Sequence, residues 1–156
     1  MPAKRFGYGI LLALLLGIAS FQAGASERPD FAKARIFLDR GDGRILTYRV
    51  ELATSPHHHA YGLMHVTELA EDAGMLFVFS GMAVRSFWMK NTLIPLDMLF
   101  FDADGRLVSS VRRAVPGSLI ARRSDGPAQY VLELPGGSMD ADGIGVEARL
   151  QLPFDK

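Results

Sequence analysis

The sequence predicts a mainly β fold: one compact antiparallel barrel or sandwich-like domain of about seven to eight short strands with one or two short helices. Three observations lead there. Short apolar runs recur along the chain, bounded by turn formers. Residues 45–52 alternate, with Leu46, Tyr48, Val50 and Leu52 against Thr47, Arg49 and Glu51, as a half-buried strand does. Turn chemistry is dense at Asp39-Arg40-Gly41-Asp42-Gly43, Asp102-Ala103-Asp104-Gly105 and Pro135-Gly136-Gly137. No internal repeat or low-complexity tract interrupts the pattern.

Residues 1–25 read as a signal peptide. Lys4 and Arg5 precede an apolar run over 8–19, and Ala23-Gly24-Ala25 supplies the small-x-small pattern cut by signal peptidase. The run is shorter than the roughly 20 residues a spanning helix needs, and no Cys follows it for lipid attachment; the alternative to cleavage is an uncleaved membrane anchor. The expectation is a periplasmic or secreted protein cleaved after Ala25, with a flexible lead-in over 26–33 and a single domain over 34–153.

Within that domain, 34–38 and 45–52 form a hairpin across the Asp39–Gly43 turn. Thr54-Ser55-Pro56 opens a short helix, a hydroxyl capping it and Pro filling its first turn. That helix carries His57, His58, His59 and Tyr61 and closes at 62–64. Residues 68–74 are an acidic loop. The run 75–79, between Gly74 and Ser80-Gly81, is a buried strand, 87–90 a further short strand, and 91–95 a turn. A second hairpin joins 96–101 to 107–111 through Asp102-Ala103-Asp104-Gly105. A polar loop covers 116–127, a strand 130–134, a helical turn 138–141, and the last strand 146–152.

Composition narrows the classes of function. The chain has 156 residues, 49% of them hydrophobic, with 17 Lys and Arg against 17 Asp and Glu. Without Lys4 and Arg5 the balance is slightly acidic, which argues against a nucleic-acid partner. There is no Cys, hence no disulfide, thiol chemistry or thiolate metal cluster. No Ser/His/Asp spacing, paired Glu, phosphate loop or His-Glu-x-x-His motif is present, so nothing supports a hydrolase, kinase or zinc protease of the familiar kinds.

Chemistry concentrates in 87–101, which places the only Trp, Met89, Lys90, Asn91 and Asp97 inside an apolar run. A buried polar group without a partner costs about 1–3 kcal/mol, so these side chains either lock a turn or face a ligand. Alternation sets Asp97, Leu99 and Phe101 on one face of the strand, leaving Asp97 among apolar groups that oblige it to find donors. Trp88 offers a flat platform and Asn91, Asp97 and Lys90 directional bonds, as in a cleft for a small polar ligand. The alternative is that Asp97 accepts main-chain amides of the 91–95 turn and Trp88 is core.

Two further sets of residues carry candidate chemistry. His57, His58, His59 and His65, with Met64, Met75, Met82, Met89 and Met98, offer imidazole and thioether ligands suited to copper. Neighbouring helical His point about 100° apart, so at best one of 57–59 joins His65 or Met64. The bland reading is a solvated His face with Met as core filler. Arg112, Arg113, Arg122 and Arg123 flank 114–121 and would make an anion site if the loop folds back; Asp125 and neighbouring acids would equally neutralise them.

Gly62-Leu63-Met64, Gly74-Met75-Leu76-Phe77-Val78-Phe79, Phe87-Trp88-Met89-Lys90-Asn91-Thr92, Ile94-Pro95-Leu96-Asp97 and Tyr130-Val131-Leu132-Glu133-Leu134-Pro135-Gly136 together resemble the family named domain of unknown function 192 (DUF192). The resemblance spans residues 35–150. It implies a small β-barrel-like domain, commonly exported in bacteria, and assigns no activity. Ser124 matches a Ser of the family; alone it is no nucleophile. Two departures stand out: His57-His58-His59 replaces a charged segment, and His65-Val66 replaces an aromatic and an Arg after Met64. The resulting expectation is a non-catalytic binding or accessory module for a small polar ligand or an envelope component, with binding residues Met64, Trp88, Met89, Asn91, Thr92, Asp97 and Ser124. The alternatives are a periplasmic copper protein using His57, His65 and Met64, an enzyme with Asp97 in its site, and a structural envelope protein with a protein partner. The sequence assigns no cofactor and no membrane contact beyond the signal peptide.

Overall fold

The computed structural model describes residues 28–151. The expected signal peptide and its cleavage point after Ala25 lie outside the described residues, as do residues 26, 27 and 152–156. Seven strands and two short helices follow in the order β1 (Ala32–Asp39), β2 (Ile45–Ala53), α1 (Pro56–Tyr61), β3 (Ala73–Phe87), β4 (Leu96–Phe101), β5 (Leu107–Ala114), β6 (Arg122–Pro135), α2 (Ser138–Ala141) and β7 (Arg149–Gln151). The strands make one sheet in the order β5-β4-β6-β3-β2-β1-β7. Every neighbouring pair is antiparallel except β2 and β3, which run parallel because α1 and the loop after it cross between them.

The sheet curls until its two edges meet at one end. Arg106 bridges to Arg149, Leu107 N donates to Ala148 O at 3.1 Å, and Leu150 N donates to Gly105 O at 2.8 Å. Gly105 makes this approach feasible. Its φ is +73°, and a Cβ there would lie 2.2 Å from Leu150 O.

Alternation along the strands divides the interior into two layers. One holds Ile36, Leu38, Val50, Leu76, Leu99, Phe101, Leu132 and Leu134, closed by Met139 and Ile144. Tyr48 reaches the edge of this layer and donates its hydroxyl to Asp142 Oδ2 at 2.6 Å; burial, reinforced by that bond, pushes its phenol well above the usual range. The other layer holds Phe31, Leu63, Met75, Phe77, Met89, Met98, Phe100 and Val131, with Tyr61, Val66, Leu69 and Ile94 packed on it from α1 and the loops. Asp97 therefore points into the first layer, while Met98 and its register partner Glu133 point into the second.

Several elements differ from expectation. The runs 75–79 and 87–90 are not separate strands: β3 continues through Ser80-Gly81 to Phe87 because β6 pairs along most of its length, with register shifts between Val78 and Ala83 and between Val84 and Ser86. Residues 88–90 form part of the following turn. The expected polar loop over 116–127 gives way at Arg122, where β6 begins. The lead-in is anchored at its described residues: Phe31 is buried, Arg28 pairs with Glu51, and β1 starts at Ala32. The last strand starts at Arg149 rather than at residue 146, and its described part is Arg149–Gln151. No helix among the described residues is long and apolar enough to cross a membrane.

Candidate functional site

The site begins with α1. Ser55 Oγ accepts the His58 N–H at 3.1 Å, Pro56 occupies the first turn, and Gly62 N donates to His58 O at 2.9 Å, so the helix is capped at both ends. His59 turns inward: its Nε2 lies 2.9 Å from Ala53 O and 3.1 Å from Val78 O. Both partners are carbonyls that only accept, which fixes the proton on Nε2. The ring also packs on Phe79 at 4.2 Å between centroids. His58 Nδ1 is buried with no partner among the described residues.

Facing α1 is the turn 88–92, held by peptide groups on both sides. His65 N donates to Asn91 O at 2.9 Å, Met89 N to Ser118 O at 2.9 Å, and Gly117 N to Thr92 O at 3.0 Å. Asn91 and His65 both take left-handed backbone, with φ of 56° and 63°. Asn tolerates this conformation better than most residues, so the residue type serves the turn as much as its amide serves as a donor.

Between α1, the 62–64 turn and 88–92 lies a narrow notch of about 30 Å³, lined by His59, Tyr61, Met64, Trp88, Lys90 and Thr92 with Glu133 among its walls. That is room for a water or two, or for a head group of a few heavy atoms. Glu133 is its least expected member. The residue is 4% exposed, its carboxyl makes no hydrogen bond to another described residue, and burial pushes the carboxyl up to about 8. At neutral pH it is an uncharged acid with an O–H to donate. Trp88, 50% exposed, stands at the mouth with Lys90 Nζ 5.1 Å from its ring centroid. Beyond Lys90 and Thr92 the notch adjoins an open shelf of about 580 Å³ formed by Asn91, Leu93, Pro116 and Leu119. A separate hollow of about 390 Å³ lies beside Arg28, Glu51, Val66 and Leu69; two of its cations are paired, Arg28 with Glu51 and Arg49 with Asp72, while Lys33 and Glu68 on its wall form no ion pair among the described residues.

Of the residues singled out in the sequence, Met64, Trp88 and Thr92 come together here, with Lys90. Asn91 sits beside them, its Nδ2 3.9 Å from Met64 Sδ. Met89 is fully buried in the core beneath. Asp97 and Ser124 lie elsewhere. Asp97 accepts Arg113 N at 2.7 Å and Met139 N at 2.8 Å, joining the β5 bulge to α2 on the opposite face of the sheet. Ser124 Oγ accepts Arg85 N at 2.9 Å and donates to Gly126 O at 2.6 Å. Both serve the main chain.

His57 and His65 are exposed on different elements, and among the described residues no three of His, Asp and Glu converge on one point. The two Arg pairs do not meet: Arg112 and Arg113 both bond Asp140, while Arg122 donates to Ile120 O at 2.7 Å. Asp140, not Asp125, pairs with Arg112 and Arg113. Glu133 was missed as a site residue because Tyr130-Val131-Leu132-Glu133-Leu134 reads as a strand with one polar side turned to water. The available signal was a lone carboxyl flanked on both sides by a fully apolar strand.

A curled β-sheet domain with a small acid-floored notch beneath a capped helix turn is the class that fold and site define. The DUF192 model, described as Uncharacterized ACR, matches residues 37–152, and the chain belongs to this family. A crystal structure from Sinorhizobium meliloti 1021, of a protein provisionally named a transcription regulator, is similar with a TM-score of 0.77 and 40% identity over 80% of this chain and 96% of that one. A protein of unknown function from Novosphingobium aromaticivorans DSM 12444 superposes with a TM-score of 0.75 and 30% identity over 81% of this chain and 94% of the other. No curated protein matches.

Proposed function

We propose that this DUF192 protein is an exported, non-catalytic binding module that receives the polar end of a small ligand in the notch between α1 and the 88–92 turn. One observation carries the reading. Glu133 is buried, opens onto the notch and has no partner for its carboxyl among the described residues. Such a group is costly unless something supplies the missing bond. Trp88 gives the mouth an apolar wall, and Lys90 and Thr92 add polar groups beside it, the mix usual for small-molecule sites. The balanced charge of the chain gives no support to transferring the regulator name of the S. meliloti protein. Export rests on the signal-like residues 1–25.

Native mass spectrometry of the purified protein tests the reading. A small molecule retained by the wild type and lost from Glu133→Leu, a substitution suited to apolar surroundings, is the expected result. A wild type that retains nothing, and whose notch resonances are unmoved by a library of small polar compounds, would overturn it.

A further inference from the structure

We propose that the notch and the shelf beside it together take a small monocarboxylic acid, its carboxylate in the notch against Glu133 and its apolar chain along Leu93, Pro116 and Leu119. This rests on the notch being a ligand site and adds the chemical class of the ligand.

The argument starts from what the notch lacks. An uncharged Glu133 offers one O–H and needs an acceptor. An ammonium group would leave the Glu133 O–H without an acceptor, and it would meet the like charge of Lys90, whose Nζ already lies over the Trp88 ring. A neutral amide or alcohol accepts the O–H but gains little from the Lys90 charge. A carboxylate answers both: it accepts the Glu133 proton in a charge-assisted hydrogen bond, and Lys90 at the mouth offsets its charge. No covalent bond forms or breaks; one proton is shared between two carboxyl groups.

Size and surroundings agree. About 30 Å³ admits a head of a few atoms and excludes a sugar ring. The shelf continues past Lys90 and Thr92 as an apolar surface on which Leu93 is 54% and Leu119 66% exposed. The ionisable groups that share the notch walls with Glu133 are His59 and Tyr61 from α1 and Lys90 from the turn. The strands on either side bring Met75 and Met98 into register with it, and neither titrates.

Calorimetry and protein NMR with hexanoate, hexanamide and hexylammonium test the proposal on wild type, Glu133→Gln, Lys90→Gln and Leu119→Ser. Hexanoate is expected to bind best and to weaken about tenfold from pH 7 to pH 9 as Glu133 loses its proton. Glu133→Gln, still a donor but a weaker one, binds hexanoate less tightly than wild type at pH 7 and loses the pH response. Lys90→Gln weakens binding at both pH values and preserves the ratio between them, and Leu119→Ser weakens hexanoate more than acetate. If hexanamide or hexylammonium binds as tightly as hexanoate while shifting the Trp88 indole, the carboxylate class is wrong although the notch is a site. If none of the probes moves the notch resonances, this proposal falls; the wider reading falls with it only if the wild type also retains no small molecule.

Discussion

At Glu133, burial keeps the carboxyl protonated up to about pH 8 in the folded chain, whereas the unfolded chain releases that proton near 4.5. Between those values the unfolded state binds fewer protons than the folded one, so this group makes stability fall as pH rises. Below about 4.5 both states are protonated and the effect is absent; above about 8 it is fully in place. By pH 7 the loss amounts to about 3 kcal/mol at one pKa unit per 1.4 kcal/mol. Glu133→Gln is therefore expected to melt progressively higher than wild type between pH 5 and pH 8 and to converge with it near pH 4, as thermal melts will show. Asp97 is the contrast. Its apolar setting was legible from alternation within 96–101, and so was its need for donors. That those donors are Arg113 N and Met139 N was not, because they arrive from elements 16 and 42 residues away.

Elements whose two sides differ in polarity were readable, and those exposed on both were not. β2 declares itself through alternation, and α1 through Ser55 and Pro56. The outer half of β3 and the start of β6 contain Ser80, Gly81, Ser124, Asp125, Gly126 and Pro127, which read locally as loop, yet they pair with each other at Ala83–Ala128 and Val84–Pro127. Cross-strand pairing decides the outcome there, overriding local propensity. Ser124 helps hold the irregular ladder by bonding Arg85 N and Gly126 O. Ser124→Ala should cost about 1–2 kcal/mol and speed amide exchange at Arg85, with the notch resonances unchanged; slow exchange at Arg85 in the variant would show that the ladder holds without it.

For the whole molecule, the parallel pairing of β2 with β3 and the meeting of the sheet edges depend on contacts distant in sequence, so no local pattern announced them. The seam at Gly105 and Leu150 is the point to probe. Gly105→Ala sets a methyl against Leu150 O and removes a residue suited to positive φ. The expected result is a loss of about 2–4 kcal/mol and rapid hydrogen exchange at Leu107 and Leu150, while amides of β3 and β6 stay slow. The mouth of the notch is built on a different plan. It is fastened by peptide groups, through His65 to Asn91, Met89 to Ser118 and Gly117 to Thr92, and these fastenings do not depend on which side chains project from Trp88, Lys90 or Leu119. Side chains at these positions can therefore be exchanged while the frame that presents them stays put.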